Sequence, residues 1–185
     1  CFNIPEERTV VAARGDEEER LYSESEAKVL TMHEIFHVVR AYNGFKAGEE
    51  SGFPPLFGLH TPFYDRTEEG GAVYREHATE VITESREFDY HLRLMAAYYM
   101  YEGLDFQDVV ERLVDLGGSP KRSFYLASRN REVLRHHIYQ AGYCREWRDR
   151  VELWPLLVGK VNSQWAEKLA REVKAGGMIA EPAVT

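Results

Sequence analysis

The sequence predicts an α+β fold that is mostly helical and carries a short β-hairpin at its N-terminus. Apolar residues recur with helical spacing through most of the chain, for example over residues 106–114. Signals that start or stop helices recur from residue 23 onwards. Before them, the apolar runs 8–14 and 19–22 flank Gly15-Asp16, a pattern typical of two short strands joined by a turn.

The first two helices are predicted from their boundaries. An S-x-x-E capping box at 23–26 starts the first helix, and we expect it to end at Tyr42 because Asn43-Gly44 supplies a left-handed residue. Three prolines and three glycines predict a long ordered loop over 45–66. A second helix is predicted over 67–84.

The remainder of the chain is predicted to be helical. One helix covers 88–103 and another covers 105–118. The next helix starts at Ser119-Pro120, where serine caps the helix and proline takes its first position. The last helix covers 163–176.

Length, charge and cysteine content narrow the class of protein. A chain of 185 residues suits one domain, which we assign to 1–185. Because it begins with Cys1 rather than Met, we expect a processed chain or a fragment of a longer protein, such as its C-terminal part. A net charge of −8 argues against a nucleic-acid partner, and the chain has no run of about 20 apolar residues that would span a membrane. Cys1 and Cys144 make no disulfide framework, which fits a cytoplasmic location. The sequence does not specify an oligomeric state.

The motif HEIFH at 33–37 is the part of the sequence that indicates chemistry. Residues four apart in an α-helix are rotated by only about 40° and lie one turn apart, so His33 and His37 can reach a single ion. Zinc is the natural occupant of such a pair of neutral imidazoles. Glu34 projects from the same end of that face towards the open side of the ion. The sequence therefore predicts a zinc site in the first helix, against the alternative of two histidines that bind no metal.

A two-histidine site needs a third protein ligand and an open position for water. No third histidine follows with the spacing HExxHxxGxxH, so the ligand must come from another element. The segment TEEGGA at 67–72 places acids before a glycine at a helix start, where the small residue lets the second helix approach the first. We predict Glu69 as the ligand, with Glu68 as the alternative. Glu76 and Glu80 either accept the outer N–H of a metal-bound histidine or, as we favour, are solvated.

The stretch HEIFHVVRAYNG followed by TEEGGA resembles the microtubule-associated tyrosine carboxypeptidases. These are helical zinc metallopeptidases that remove the C-terminal tyrosine of tubulin, and they have bacterial relatives named after a QEGLA motif. LLVGKV at 156–161 and R-x-R…Y-x-x-G at 129–142 are also similar to the family, so the resemblance spans about residues 29–162. The chain departs from the family in having HExxH where the family usually has HExxxH, and Gly71 where the family has leucine.

The resemblance implies a zincin-like metallopeptidase domain that depends on Zn²⁺. It implies His33, His37 and Glu69 as the metal ligands and Glu34 as the general base. The expected reaction is removal of a C-terminal aromatic residue, such as tyrosine, and the expected partner is the C-terminus of a peptide or protein.

A carboxypeptidase must also bind the terminal carboxylate, for which arginine is suited. Residues 121–150 contain eight Lys or Arg against three acids, and this segment supplies Arg129, Arg131 and Arg135. Arg129 is the first choice because it matches the family's arginine-rich turn. Tyr139 is expected to hydrogen-bond the substrate or the developing oxyanion. The alternative for the arginines is an ordinary surface salt bridge.

Two other functions remain open from the sequence. The first is an aminopeptidase or endopeptidase that uses the same two-histidine-one-glutamate site. The second is a metal-binding or metal-free interaction domain that has lost turnover.

Overall fold

Two short strands and seven α-helices make up the described part of the chain, which comprises residues 2–4, 9–11, 23–51, 58, 60–130, 137–150 and 152–174 of a computed structural model. The strands β1 and β2 cover Phe2–Ile4 and Thr9–Val11 and pair antiparallel, with Phe2 opposite Val11. The helices are α1 (Glu24–Ser51), α2 (Asp65–Ala78), α3 (Glu84–Tyr101), α4 (Phe106–Asp115), α5 (Pro120–Asn130), α6 (Ile138–Gly142) and α7 (Ser163–Lys174). A π-helical turn (Tyr143–Trp147) and a 3-10 turn (Trp154–Leu157) connect α6 to α7.

The prediction of an α+β fold with an N-terminal hairpin is wrong, because the described chain is helical apart from two strands of three residues each. The apolar run at 8–14 does contain a strand, and this strand, β2, pairs with β1, which precedes it. The predicted turn at Gly15-Asp16 and the run at 19–22 lie outside the described residues. The prediction of a mostly helical domain is confirmed.

Helix α1 begins where the capping box predicts and ends later than expected. The Ser23 amide donates to the Glu26 carboxylate at 2.9 Å, and the Glu26 amide donates to Ser23 Oγ at 3.2 Å. The helix then continues through Asn43-Gly44 to Ser51. The Asn43 side chain is committed to a tertiary contact, because its amide donates to the Leu157 carbonyl oxygen at 3.0 Å. Packing against the 3-10 turn therefore overrides the local stop signal.

The predicted loop at 45–66 is shorter than expected, since α1 covers its first seven residues and α2 starts at Asp65. Residues 52–57 and 59 lie outside the described part of the chain. Helix α2 also ends earlier than predicted, at Ala78, and Glu80 adopts a left-handed conformation with φ of 55°. The Thr79 hydroxyl donates to the Arg75 carbonyl oxygen at 2.7 Å and satisfies the last turn.

The later helices lie close to their predicted positions, although α3 starts at Glu84, four residues before the predicted start at 88. Gly103, at φ of 86°, comes directly after the last turn of α3, as predicted. The apolar stripe of α4 buries Val109 and Leu113. Helix α5 has Pro120 at its first position, and the Arg122 amide donates to Ser119 Oγ at 3.3 Å.

Helix α2 lies at the centre of the fold, where it contacts α1, α6 and the π-helical turn. One apolar core joins it to α1 and the C-terminal elements, and consists of Phe36, Ala72, Trp147, Leu156, Val161 and Ala166. A second core holds α3, α4 and α5 together, and consists of Leu92, Ala96, Val109, Leu113, Leu126 and Ala127. The side chains of the candidate functional site lie at the interface between α1 and α2. Among the helices described, none combines the length and apolar character needed to cross a bilayer.

Candidate metal centre

Helix α1 presents two histidines on one buried face. His33 and His37 are 5% and 7% exposed, and their ring centroids lie 5.0 Å apart. The helix is regular between them, so the four-residue spacing places the rings one turn apart, as predicted.

Helix α2 places the Glu69 carboxylate opposite this pair. Glu69 Oε2 lies 3.3 Å from His33 Nε2 and 3.9 Å from His37 Nε2. One donor atom from each of the three residues falls within 4.8 Å of the others. A tetrahedral zinc ion with bonds of about 2.0–2.1 Å holds its ligand atoms about 3.3 Å apart, so these three groups are within reach of one ion.

Glycines allow α2 to approach its neighbours. A Cβ atom on Gly71 would lie 2.5 Å from a ring carbon of Phe36, so this glycine admits the close packing of α2 on α1. The sequence predicts this role for the glycine that directly follows Glu69. Instead, Gly70 faces the backbone of α6, where an added Cβ would lie 2.6 Å from Gly142 Cα.

The outer nitrogen of each histidine has its own carboxylate partner. His33 Nδ1 lies 2.8 Å from Glu76 Oε1, and His37 Nδ1 lies 2.9 Å from Glu68 Oε1. Since an ionised carboxylate only accepts, Nδ1 carries the proton in each neutral ring and Nε2 keeps its lone pair. Both lone pairs are then available on the Glu69 side, the arrangement typical of metal-ligating histidines.

Two arginines hold these outer carboxylates. Glu68 accepts a hydrogen bond from Arg40, which is fully buried and also donates to the carbonyl oxygens of Leu156 and Val161, each at 2.8 Å. Burial would raise the pKa of Glu68, but Arg40, His37 and Lys160 outweigh it and lower the pKa to about 2.

Glu76 is held in the same manner. Its Oε1 accepts from the Tyr90 hydroxyl at 2.8 Å and from Arg86 at 3.2 Å, in addition to His33. Burial again opposes ionisation, and the hydrogen bond from His33 and the charge of Arg86 lower the pKa of Glu76 overall. The favoured expectation that Glu76 is solvated is wrong, since it is fully buried. Glu80 is exposed, as expected.

The acidic environment favours a positive charge at His33. Burial disfavours the charged form of His33, yet hydrogen bonds to Glu69 and Glu76 and the negative charges of these carboxylates outweigh burial and raise the pKa of His33 to about 9, so that without a metal ion Nε2 also carries a proton near neutral pH. A metal ion bound at Nε2 would replace that proton. Glu69 Oε2 is buried, and when His33 Nε2, 3.3 Å away, is unprotonated this oxygen accepts no hydrogen bond from any residue that the structure describes. Orphaned buried oxygens are rare in proteins, and a cation bound between Glu69 and the two Nε2 atoms would satisfy this one. The residues present therefore fit a divalent metal ion with His33, His37 and Glu69 as ligands.

Two other predicted residues lie around the pair. Glu34 follows His33 on α1 and is partly exposed. The Tyr139 ring of α6 stacks on His33 with centroids 6.2 Å apart and on Tyr90 with centroids 5.6 Å apart. Burial and the negative charge of Glu69 raise the pKa of Tyr139 to about 12, so its hydroxyl stays protonated near neutral pH and can donate a hydrogen bond.

Of the three predicted arginines, the structure describes Arg129 alone. Arg129 is exposed near the end of α5, with its guanidinium carbon 5.9 Å from the Tyr125 ring centroid. Arg131 and Arg135 lie outside the described residues.

Sequence reasoning missed Arg40, Arg86, Tyr90 and Lys160. Only Arg40 carried a usable signal, because it lies three residues after His37 on the face that α1 buries. The others reach the centre from α3 and from the segment before α7, and no spacing within the sequence connects them to the motif.

Comparison with known proteins supports the resemblance carried by these residues. The family model described as microtubule-associated tyrosine carboxypeptidase matches residues 17–185. The chain belongs to this family. No curated protein and no solved structure matches it significantly. Membership of the microtubule-associated tyrosine carboxypeptidase family implies a peptidase that acts on a protein or peptide.

Proposed function

We propose that the chain is a zinc-dependent carboxypeptidase that removes an aromatic residue, such as tyrosine, from the C-terminus of a peptide or protein. Family membership supports the carboxypeptidase class. The observation that carries the metal dependence is the convergence of two lone-pair nitrogens and one orphaned carboxylate oxygen within 4.8 Å, each histidine being oriented by its own glutamate.

His33, His37 and Glu69 would hold the ion and leave one position open. A zinc ion held there supplies Lewis-acid chemistry, which polarises a carbonyl and acidifies a water molecule. Glu34, next to His33 and partly exposed, accepts the proton of the attacking water and passes it to the leaving amine. Tyr139 donates a hydrogen bond to the carbonyl oxygen as negative charge develops on it, a role that its protonated hydroxyl and its stacking on His33 support.

Binding of the terminal carboxylate by Arg129, Arg131 or Arg135 stays a prediction. The exposure of Arg129 is compatible with a substrate contact.

The test combines metal analysis with peptide cleavage. The purified chain should contain one equivalent of zinc and should shorten peptides that end in tyrosine or phenylalanine by one residue, as read by mass spectrometry. Glu34→Gln should keep the metal and lose about 100- to 10,000-fold in kcat, because the general base is gone. Glu111→Gln, on the exposed face of α4, is the matched control and should leave both unchanged.

Different products would point to different functions. Cleavage from a free amine, or within the chain, would replace the carboxypeptidase assignment by an aminopeptidase or endopeptidase. Zinc binding without cleavage of any peptide would indicate an interaction domain. Normal turnover by Glu34→Gln would remove Glu34 from the role of base.

A further inference from the structure

A cavity of about 360 Å³ lies among α1, α2 and the 3-10 turn, a volume in the range of small-ligand pockets. Its floor is formed by Phe36 and Trp147, which are 5% and 1% exposed and pack edge to face with ring centroids 5.2 Å apart. Tyr74 stacks on Trp147 with centroids 5.7 Å apart, and Trp154 adds a fourth aromatic ring to the lining. The cavity therefore presents a packed aromatic surface that a flat apolar ligand meets without rearrangement.

This cavity lies on the side of α1 that faces away from the candidate metal centre. Ile35 and Val39 line it and are one turn apart on α1. Since residues two apart in an α-helix are rotated by about 200°, this face is opposite to the face of His33 and His37. The Phe36 ring separates the two sites, because it lines the cavity and also lies edge to face with the His37 ring, with centroids 6.3 Å apart. A ligand in the cavity would therefore occupy a second site.

One guanidinium group lines this apolar cavity. Arg75 of α2 is half-buried there, and within the described part of the chain it forms no ion pair. The described residues that line the cavity include no acid, and apart from Arg75 they are apolar or aromatic. The cavity therefore carries one uncompensated positive charge. A guanidinium group in such a setting favours an anion, and a carboxylate matches its planar pair of donors.

The lack of a partner distinguishes Arg75 from comparable arginines. Wherever else the described residues include a buried or half-buried arginine, its guanidinium contacts a carboxylate, as at Arg40, Arg86, Arg93, Arg122 and Arg150. Burial of a charge is costly unless an opposite charge accompanies it. A bound carboxylate would give Arg75 the kind of partner that these other arginines have.

We propose that this cavity binds an aromatic monocarboxylate, whose ring system packs on Phe36 and Trp147 and whose carboxylate pairs with Arg75. The site goes beyond the proposed peptidase function and does not depend on it. A free amino acid fits less well, because its ammonium group finds no acid among the described lining residues. A peptide fits less well because it would bury backbone N–H and C=O groups against an apolar lining.

The experiment measures the binding of four probes to the zinc-loaded chain by calorimetry. The first is naphthylpropionate and the second is its amide. The third is naphthylalanine, which adds an ammonium group, and the fourth is the acetylated dipeptide glycyl-naphthylalanine with a free C-terminus. We expect the first probe to bind about tenfold more tightly than the amide, because only the acid pairs with Arg75. The amino acid and the dipeptide should both bind more weakly than the first probe.

Two variants locate the bound acid. Arg75→Gln should weaken binding of the acid by about tenfold and leave the amide unaffected, since it removes the charge and keeps the apolar lining. Val39→Phe places a larger side chain in the cavity and should weaken the acid and the amide alike. Arg112→Gln, at an exposed position of α4, is the matched control for the loss of one arginine and should bind all probes as the wild-type chain does. Circular dichroism checks that each variant remains helical.

Several results would overturn the proposal. Unchanged affinity for the acid in Arg75→Gln, or in a folded Val39→Phe variant, would mean that the acid binds elsewhere, for instance at the zinc ion. An amide or amino acid that binds as tightly as the acid would remove the role of Arg75, and a dipeptide that binds more tightly would assign the cavity to a peptide terminus. Absence of binding by every probe at millimolar concentration would show that the cavity is not a ligand site. None of these measurements requires peptide cleavage, so the proposed function stands or falls separately.

Discussion

Replacing Glu76 by glutamine tests whether the carboxylates that bind the histidine Nδ1 atoms strengthen the binding of the metal by these histidines. Glu76 Oε1 accepts from His33 at 2.8 Å, from Tyr90 at 2.8 Å and from Arg86 at 3.2 Å, and the side chain is fully buried. Glutamine has nearly the same shape and keeps an acceptor oxygen, so the imidazole retains its partner and its orientation. The substitution removes the negative charge that makes His33 a stronger ligand.

The expected loss is about tenfold in zinc affinity, or about 1.4 kcal/mol, for Glu76→Gln. Glu76→Ala removes the acceptor as well and should cost up to about 100-fold. The affinity is measured by competition with a chromophoric zinc chelator, and circular dichroism checks that each variant remains helical.

Glu80→Gln is the matched control for this series. Glu80 follows Glu76 by four residues but is exposed, so its substitution should not change the affinity for zinc. If Glu76→Gln bound zinc as tightly as the Glu80 variant while staying folded, the argument that Glu76 acts on the metal through His33 would be refuted.

Two further substitutions test how the surroundings hold the centre. Arg40→Met leaves Glu68 charged and buried without its main partner. The free energy of unfolding, measured by urea titration, should therefore fall by about 3–5 kcal/mol. Arg148→Met, at an exposed position, is the control and should have no measurable effect. Gly142→Ala brings a methyl group against the Arg66 carbonyl oxygen and to 2.9 Å from Gly70 Cα. This substitution should therefore reduce the free energy of unfolding by about 1–3 kcal/mol. Unchanged stability would contradict the close approach of α2 and α6.

The local signals of the sequence were sufficient for much of the fold. The capping box at 23–26, the apolar stripe of α4 and the proline at the start of α5 each determine a boundary through contacts within a few residues. Such signals work because the free energies involved are set by neighbouring backbone groups.

Tertiary contacts decided the elements that local signals mispredicted. Asn43 and Gly44 stop a helix in isolation, but the contact of Asn43 with Leu157, more than a hundred residues away, makes continuation favourable. The strand at Thr9–Val11 pairs with a strand that precedes it, and strand propensity alone does not identify the partner.

The candidate metal centre was likewise predictable in part from local geometry and in part only from tertiary contacts. The pair of histidines follows from helical geometry, which is why HEIFH could be assigned to one face of α1 from spacing alone. Choosing among Glu68, Glu69 and Glu76 required the rotation of α2 about its axis, which depends on Gly70 meeting Gly142 and Gly71 meeting Phe36. That rotation points Glu69 at both Nε2 atoms. It also places Glu68 beside His37 Nδ1 and Glu76 beside His33 Nδ1.

Anomalous diffraction from crystals of the zinc-loaded chain, recorded on both sides of the zinc absorption edge, is the most direct test of the metal centre. We predict one peak between α1 and α2, about 2.0–2.2 Å from His33 Nε2, His37 Nε2 and a Glu69 oxygen, with a fourth position facing Glu34. A peak ligated by Glu68 or by either Nδ1 atom, or the lack of any peak at the histidine pair, would contradict the account.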